Sequence, residues 1–114
     1  MVSVVSDRLA DIEQYASALG LSGLVVERVQ LGGNQRLSCE RRLPDGRMRS
    51  LLIHWAGDCA GLPDDSYAIT GHEYGGDLDM AVDRKHWGSR ENVKSVVRHW
   101  LGGVTKVWND LPRD

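Results

Sequence analysis

The last stretch of the chain, residues 89–111, has the most regular hydrophobic pattern in the sequence. Apolar side chains recur there at the i, i+3, i+4, i+7 spacing of an amphipathic helix. They are Val93, Val96, Val97, Trp100, Leu101, Val104, Val107, Trp108 and Leu111. At ~100° per residue they cover an arc of about 140°, and polar residues fill the other side. The pattern predicts one long helix, with Ser89 as its N-cap, that packs one face on a core.

Two adjacent glycines interrupt this predicted helix. Gly102 and Gly103 each cost about 1 kcal/mol relative to alanine inside a helix. Because the apolar stripe stays in phase across the pair, the sequence predicts a bend there and not the end of the helix. A close-packed neighbour, such as a second copy of the chain in a homodimer, is the alternative explanation for the two glycines.

A second, shorter helix is predicted near the N-terminus. Ser6 is a suitable N-cap, and Gly20 is a suitable C-terminal stop. Between them lies a single apolar stripe, which consists of Leu9, Ile12, Ala16 and Leu19.

The region between the helices is predicted to be an antiparallel meander. Residues 24–31, 35–43 and 48–56 have strand composition, and they are separated by Gly32-Gly33 and by the turn sequence at 43–47. The third strand, with Leu51, Ile53 and Trp55 on one side, is expected to be central. Residues 67–74 and 77–82 are predicted as two further strands joined at Gly75-Gly76.

These elements predict an α+β fold. We expect a two-layer sandwich in which an N-terminal helix and a long C-terminal amphipathic helix cover one face of an antiparallel meander of three to five strands. The length of 114 residues, with 41% hydrophobic and 26% charged residues, predicts a single domain over 1–114. No signal peptide or membrane span is recognisable, so we expect a soluble cytoplasmic protein with reduced Cys39 and Cys59.

Charge is segregated along the chain although the net charge is only −2. Residues 57–83 carry −7 and contain no Lys or Arg, whereas residues 27–56 carry +3 and residues 84–114 carry +4. Opposite blocks of this kind can lie side by side in the fold as solvated surface, or one of them can attract a charged partner. The sequence leaves both interpretations open.

The functional hypothesis with most support is binding to another protein. The chain contains no catalytic or phosphate-binding motif, which favours a binding protein over an enzyme and predicts no cofactor. An immunity protein, an inhibitor or a secretion chaperone would have this size and charge pattern. The target is expected to have a basic surface. The predicted partner-binding residues are acidic positions and a tryptophan in a polar loop: Asp58, Asp64, Asp65, Asp77, Asp79 and Trp87.

Two other functions remain as alternatives. A hairpin turning at Gly75-Gly76 would gather carboxylates for a metal-dependent enzyme, with the candidate ligands His72, Glu73, Asp77 and Asp79. Arginines on the meander could bind RNA; they are Arg36, Arg41, Arg42, Arg47 and Arg49. The acidic block disfavours nucleic acid as a partner, because it would repel phosphates.

Overall fold

The described residues form two helices and an antiparallel sheet, which confirms the α+β class. The computed structural model describes residues 8–32, 34–57, 61, 63, 65–74 and 84–104, without the side chains of residues 31, 34 and 84–87. The elements in chain order are α1 (Ala10–Ala18), β1 (Val25–Leu31), β2 (Asn34–Arg42), β3 (Met48–Trp55), β4 (Tyr67–Tyr74), β5 (Arg84–Gly88) and α2 (Arg90–Leu101).

The sheet is a meander in which every strand pairs with its neighbours in sequence. Its order is β1-β2-β3-β4-β5, all antiparallel, so β3 is the central strand as predicted. The turn between β2 and β3 also forms as predicted. The Leu43 N–H donates to the Arg47 carbonyl at 2.7 Å, and Gly46 has a φ of 94°, which a residue with a Cβ adopts only with strain.

The partner of β4 differs from the prediction. Residues 84–88, which were expected to form a loop, pair with β4 from Tyr67↔Gly88 to Gly71↔Arg84. The predicted strand at 77–82 lies outside the described residues. A five-residue edge strand is too short to show clear alternation, and its basic composition is typical of sheet edges. These two properties explain why the sequence pattern indicated a loop.

The core consists of residues from both helices and alternate residues of β2, β3 and β4. Because side chains alternate across a strand, residues two apart share a face. The buried cluster comprises Leu9, Ile12, Ala16, Leu37, Cys39, Leu51, Ile53, Tyr67, Ile69, Val93, Val96, Val97, Trp100 and Leu101. All described residues of the two predicted stripes belong to this cluster or pack against it, except Val104, which is 46% exposed.

The ends of α1 were predicted only in part. Ser6 is not the N-cap: Leu9 takes that position, with no side-chain hydrogen bond to the first turn. Leu9 is 4% exposed and belongs to the core, so burial of its side chain fixes the start of the helix instead. The predicted stop is confirmed, because Gly20 follows the helix with a φ of 67°.

The predicted bend in the final helix is wrong, because α2 ends at Leu101. The Gly103 N–H donates to the Trp100 carbonyl at 3.2 Å, and the Val104 N–H donates to the His99 carbonyl at 2.9 Å. These two bonds, with a φ of 101° at Gly103, form a Schellman ending. A Cβ at Gly102 would lie 2.7 Å from the Arg98 carbonyl oxygen. The geometry of the helix end therefore accounts for both glycines. Residues 105–114, with Val107, Trp108 and Leu111, lie outside the described residues.

Substitution of Gly103 tests this helix ending. Gly103→Ala is expected to lower the free energy of unfolding by about 1–2 kcal/mol, because alanine is strained at a positive φ. Val104→Ala is the matched control, since it keeps the backbone bonds and removes an exposed side chain; it should change stability by less than about 0.5 kcal/mol. Chemical denaturation measures both variants. Equal stabilities of the two variants would contradict the Schellman ending.

Candidate functional site

The predicted partner-binding residues are only partly described. Asp58, Asp64, Asp77 and Asp79 lie outside the described residues, and only the backbone of Trp87 is described. Asp65 is exposed, and its Oδ2 accepts a hydrogen bond from the Arg90 N–H at 3.2 Å, while its Oδ1 lies 3.4 Å from Arg90 Nε. This carboxylate therefore binds the first turn of α2 within the same chain.

The starts of the two helices lie near each other and near the start of β4. Asp11 on α1 lies 2.8 Å from Lys94 Nζ and 3.6 Å from Arg90 Nη1 on α2. The Tyr67 hydroxyl donates to the Arg8 carbonyl, just before α1, at 2.8 Å. The hydrogen bond from Lys94, more than any other cause, lowers the pKa of Asp11. Carboxylates are stabilised at this end because both helix dipoles are positive there.

A buried arginine lies at the opposite end of α2. Arg49, with 0% side-chain exposure, donates from Nε to Glu73 Oε1 at 2.8 Å. Its Nη1 donates to the carbonyls of Trp100 and Val104, both at 3.0 Å, and its guanidinium lies 4.0 Å from the centre of the Trp100 ring. The guanidinium thus gives a charged donor to two carbonyls at the C-terminal end of α2.

A second arginine connects the two helix ends. Arg41 donates from Nε to the carbonyl of Ser22, in the loop after α1, at 2.9 Å. Its Nη1 donates to the carbonyl of Leu101, the last residue of α2, at 2.8 Å. Hydrogen bonds from a charged group are each worth about 1.5–3 kcal/mol, so these contacts contribute substantially to holding the helices on the sheet.

The arginines predicted to bind RNA are divided between two faces of the sheet. Arg41 and Arg49 lie on the core-facing side and bind helix carbonyls. Arg47 binds Asp45 at 2.7 Å and Glu73 at 3.0 Å. Arg36 and Arg42 have the opposite parity on β2, which places them on the other face. The five arginines therefore do not make one continuous basic surface.

The predicted metal ligands are also separated. His72 and Glu73 are adjacent on β4, so they lie on opposite faces of the sheet. Glu73 accepts hydrogen bonds from both Arg47 and Arg49, so a cation at this carboxylate would have to displace two guanidinium groups. Asp77 and Asp79 are outside the described residues. In the part of the chain that is described, no three His, Cys, Asp or Glu side chains converge on a possible metal site.

Cys39 belongs to the core and does not have the properties of a nucleophile. It is fully buried, and this burial, with a smaller effect of Glu13, raises the pKa of the Cys39 thiol to about 12. A nucleophilic cysteine needs a lowered pKa and access to solvent. Cys59, the other cysteine, lies outside the described residues.

The strand that contains Trp87 is at the edge of the sheet. Trp87 was predicted to lie in a loop, but its backbone belongs to β5 and pairs with Ala68 on β4. No described strand pairs with the other side of β5. A strand edge presents unpaired backbone donors and acceptors that another chain can bind. This edge can be recognised only from the pairing of β4 with β5, which the sequence pattern did not indicate.

Comparison with protein-family models, with characterised proteins and with solved structures found no match to this chain. Neither described helix has the length and apolar character that a membrane span requires.

Replacement of Arg49 tests the buried arginine contacts. Arg49→Met should lower the free energy of unfolding by about 3 kcal/mol, because it removes a buried charged donor from the Glu73 carboxylate and from the carbonyls of Trp100 and Val104. Arg47→Met is the matched control, since Arg47 also binds Glu73 but is partly exposed; it should cost less than about 1 kcal/mol. Denaturant unfolding measures both variants, and similar losses would contradict the special role of Arg49.

Thiol labelling tests the burial of Cys39. With its pKa raised to about 12 from a usual value of 9.0, the thiolate fraction of Cys39 at pH 8 should be about a thousandfold lower in the folded protein than in the unfolded chain. The neutral thiol stabilises the fold below pH 9, and this contribution is lost as the pH rises from 9 toward 12. Iodoacetamide labelling read by peptide mass spectrometry measures the rate, with labelling in denaturant as the control. Rapid labelling of the folded protein would contradict this placement.

Proposed function

We propose that the protein acts by binding another protein at the edge formed by β5. The observation that carries this proposal is that Trp87 lies on an edge strand whose outer side no described strand occupies. An extended segment can add to such an edge through backbone hydrogen bonds. Tryptophan is enriched among the residues that contribute most to protein interfaces, so Trp87 is proposed as the anchor.

The acidic residues are proposed to select a partner with a basic surface. Residues 57–66 lead into β4, and residues 75–83 connect β4 to β5, so the acidic block is continuous in sequence with the proposed edge on both sides. Opposite charge around an interface accelerates association and excludes partners of the wrong charge. Asp65 already binds Arg90, so Asp77 and Asp79 are proposed to contribute more than Asp65.

The proposal includes the layering expected from the sequence. In a two-layer sandwich, both helices cover one face of the sheet, so the edge at β5 stays accessible to a second protein. Immunity proteins, inhibitors and secretion chaperones are the kinds of small cytoplasmic protein that act in this way. This choice of class depends on size and charge alone.

Site-specific photo-crosslinking tests the proposed edge. A photoreactive phenylalanine analogue at position 87, in protein expressed in its native host, should form a discrete crosslinked product with one partner protein. The control places the same analogue at Arg98, an exposed position on α2. Crosslinking of the same partner at position 98 but not at position 87 would move the binding surface to the helices.

Charge reversal tests the acidic residues once that partner is known. Asp77→Lys combined with Asp79→Lys should slow association with the partner at least tenfold at low salt, and the difference should shrink as salt is added. Glu91→Lys is the control for a change of charge on an exposed residue of α2, outside the acidic block and β5, and it should leave association within about twofold. Surface plasmon resonance measures both rates. Unchanged association after reversal of Asp64, Asp65, Asp77 and Asp79 together would contradict this assignment.

A further inference from the structure

We propose that residues 9–21, which contain α1, form a strap that opens and closes as a unit while the sheet and α2 stay folded. Ion pairs from Asp11 and Glu13 hold this strap closed. The inference goes beyond the proposed function, because no residue of β5 takes part in it.

The first ion pair connects the strap to α2. Asp11 lies 2.8 Å from Lys94 Nζ and 3.6 Å from Arg90 Nη1. Lys94 Nζ also lies 5.5 Å from the centre of the Tyr15 ring, which is one helical turn after Asp11. A single lysine of α2 therefore contacts two successive turns of α1.

The second ion pair connects the strap to β1. Glu13 Oε1 accepts a hydrogen bond from Arg28 Nη2 at 3.1 Å. Asp11 and Glu13 are the only charged residues of α1, so every charge on this helix is negative and each is bound by a basic residue of another element. These side chains are partly exposed, with values of 48% for Asp11 and 36% for Glu13. Ion pairs of this kind are weak and sensitive to salt, so they can break without unfolding of the core.

The helix has little stability of its own. It has nine residues, its N-cap Leu9 makes no side-chain hydrogen bond to the first turn, and its last turn contains no basic residue. Helices this short are marginal in water unless they pack on other elements. Within α1, only Ile12 and Ala16 are buried, whereas α2 buries Val93, Val96, Val97, Trp100 and Leu101. Most of the core cluster therefore remains in place when the strap is open.

Both ends of the strap are fixed to the sheet. Before it, the Arg8 carbonyl accepts a hydrogen bond from the Tyr67 hydroxyl at 2.8 Å, and the Arg8 guanidinium lies 4.8 Å from the centre of the Trp55 ring. After it, the Ser22 carbonyl accepts a hydrogen bond from Arg41 Nε at 2.9 Å. A segment with two anchored ends can leave the core and return as a local unit.

The buried thiol of Cys39 reports on this opening. Cys39 lies on the core face of β2, opposite Val26, which shares that face of β1 with Arg28. Because Arg28 binds Glu13, α1 lies over this part of the sheet. The thiol is fully buried in the closed form. Departure of the strap uncovers it and also removes the nearby Glu13 charge, which contributes to its raised pKa.

Hydrogen exchange of the full-length protein, followed by NMR, tests the strap. The amides of residues 13–18 should be protected at least about tenfold less than those of β3, with a smaller dependence on denaturant, because only a local unit opens. Labelling of Cys39 by iodoacetamide, read by peptide mass spectrometry, should give the same opening constant as α1. Equal protection of α1 and β3 would overturn the proposal. Labelling of Cys39 that follows the exchange of β3 would also overturn it, because α1 would then fray without leaving the sheet.

Lys94→Gln tests the ion pair without any change to the sequence of α1. It should raise the opening constant of the strap by about threefold to fivefold. Added salt should raise this constant more in the original protein than in the variant. Arg98→Gln is the matched control, since it removes the same charge from an exposed position of α2, and it should stay within about twofold of the original. Equal effects of the two substitutions would contradict the role of the ion pairs. None of these results bears on crosslinking at position 87.

Discussion

The buried guanidinium of Arg49 is the contact on which the placement of the final helix most depends. Removal of a charge from water is costly, and the cost is offset here by Glu73, by two carbonyls at the end of α2 and by the Trp100 ring. The Trp100 indole in turn donates to the Ser50 carbonyl on β3 at 3.2 Å. A shift of α2 along the sheet would break several of these bonds together. The arrangement therefore favours one position of the helix over others that would bury similar apolar area.

The same contacts give a physical reason for the segregated charges. Two arginines of the basic block 27–56, Arg41 and Arg49, bind carbonyls at the negative end of α2 or in the loop after α1. Asp65, from the acidic block, binds the first turn of α2 at the positive end. Each charged group lies where the helix dipole favours its sign. Charge blocks that resemble binding surfaces in the sequence thus serve partly to hold the fold together.

Much of the fold could be predicted from local patterns. Alternation of apolar residues identified β1 to β4, and the proline, aspartate and glycine at 44–46 identified their sharpest turn, because both signals act over a few residues. Even the core-facing side of Arg41 and Arg49 follows from their parity with Leu37, Cys39, Leu51 and Ile53. Their carbonyl partners could not be predicted, since these lie more than fifty residues away or in a loop before the sheet.

Two of the errors in the fold, the bend in the final helix and the loop at 84–88, arise because hydrophobic periodicity does not report where backbone hydrogen bonds form or end. The stripe across Gly102 and Gly103 stays in phase although the helix stops there, and the glycines themselves were the better signal. The edge strand β5 has no periodicity to detect. The candidate site was harder still to predict, because β5 becomes an edge of the sheet only through its pairing with β4. Once the helix ending accounts for both glycines, they no longer argue for a second copy of the chain.

A double-mutant cycle between Arg49 and Glu73 tests the central claim most directly. The four proteins are the original, Arg49→Met, Glu73→Gln and the double variant, each measured by denaturant unfolding. If Glu73 balances the buried charge of Arg49, the two substitutions should be coupled by about 2 kcal/mol, since each of them removes the same buried ion pair. Additive losses, within about 0.5 kcal/mol, would show that the two residues stabilise the protein independently and would contradict this account.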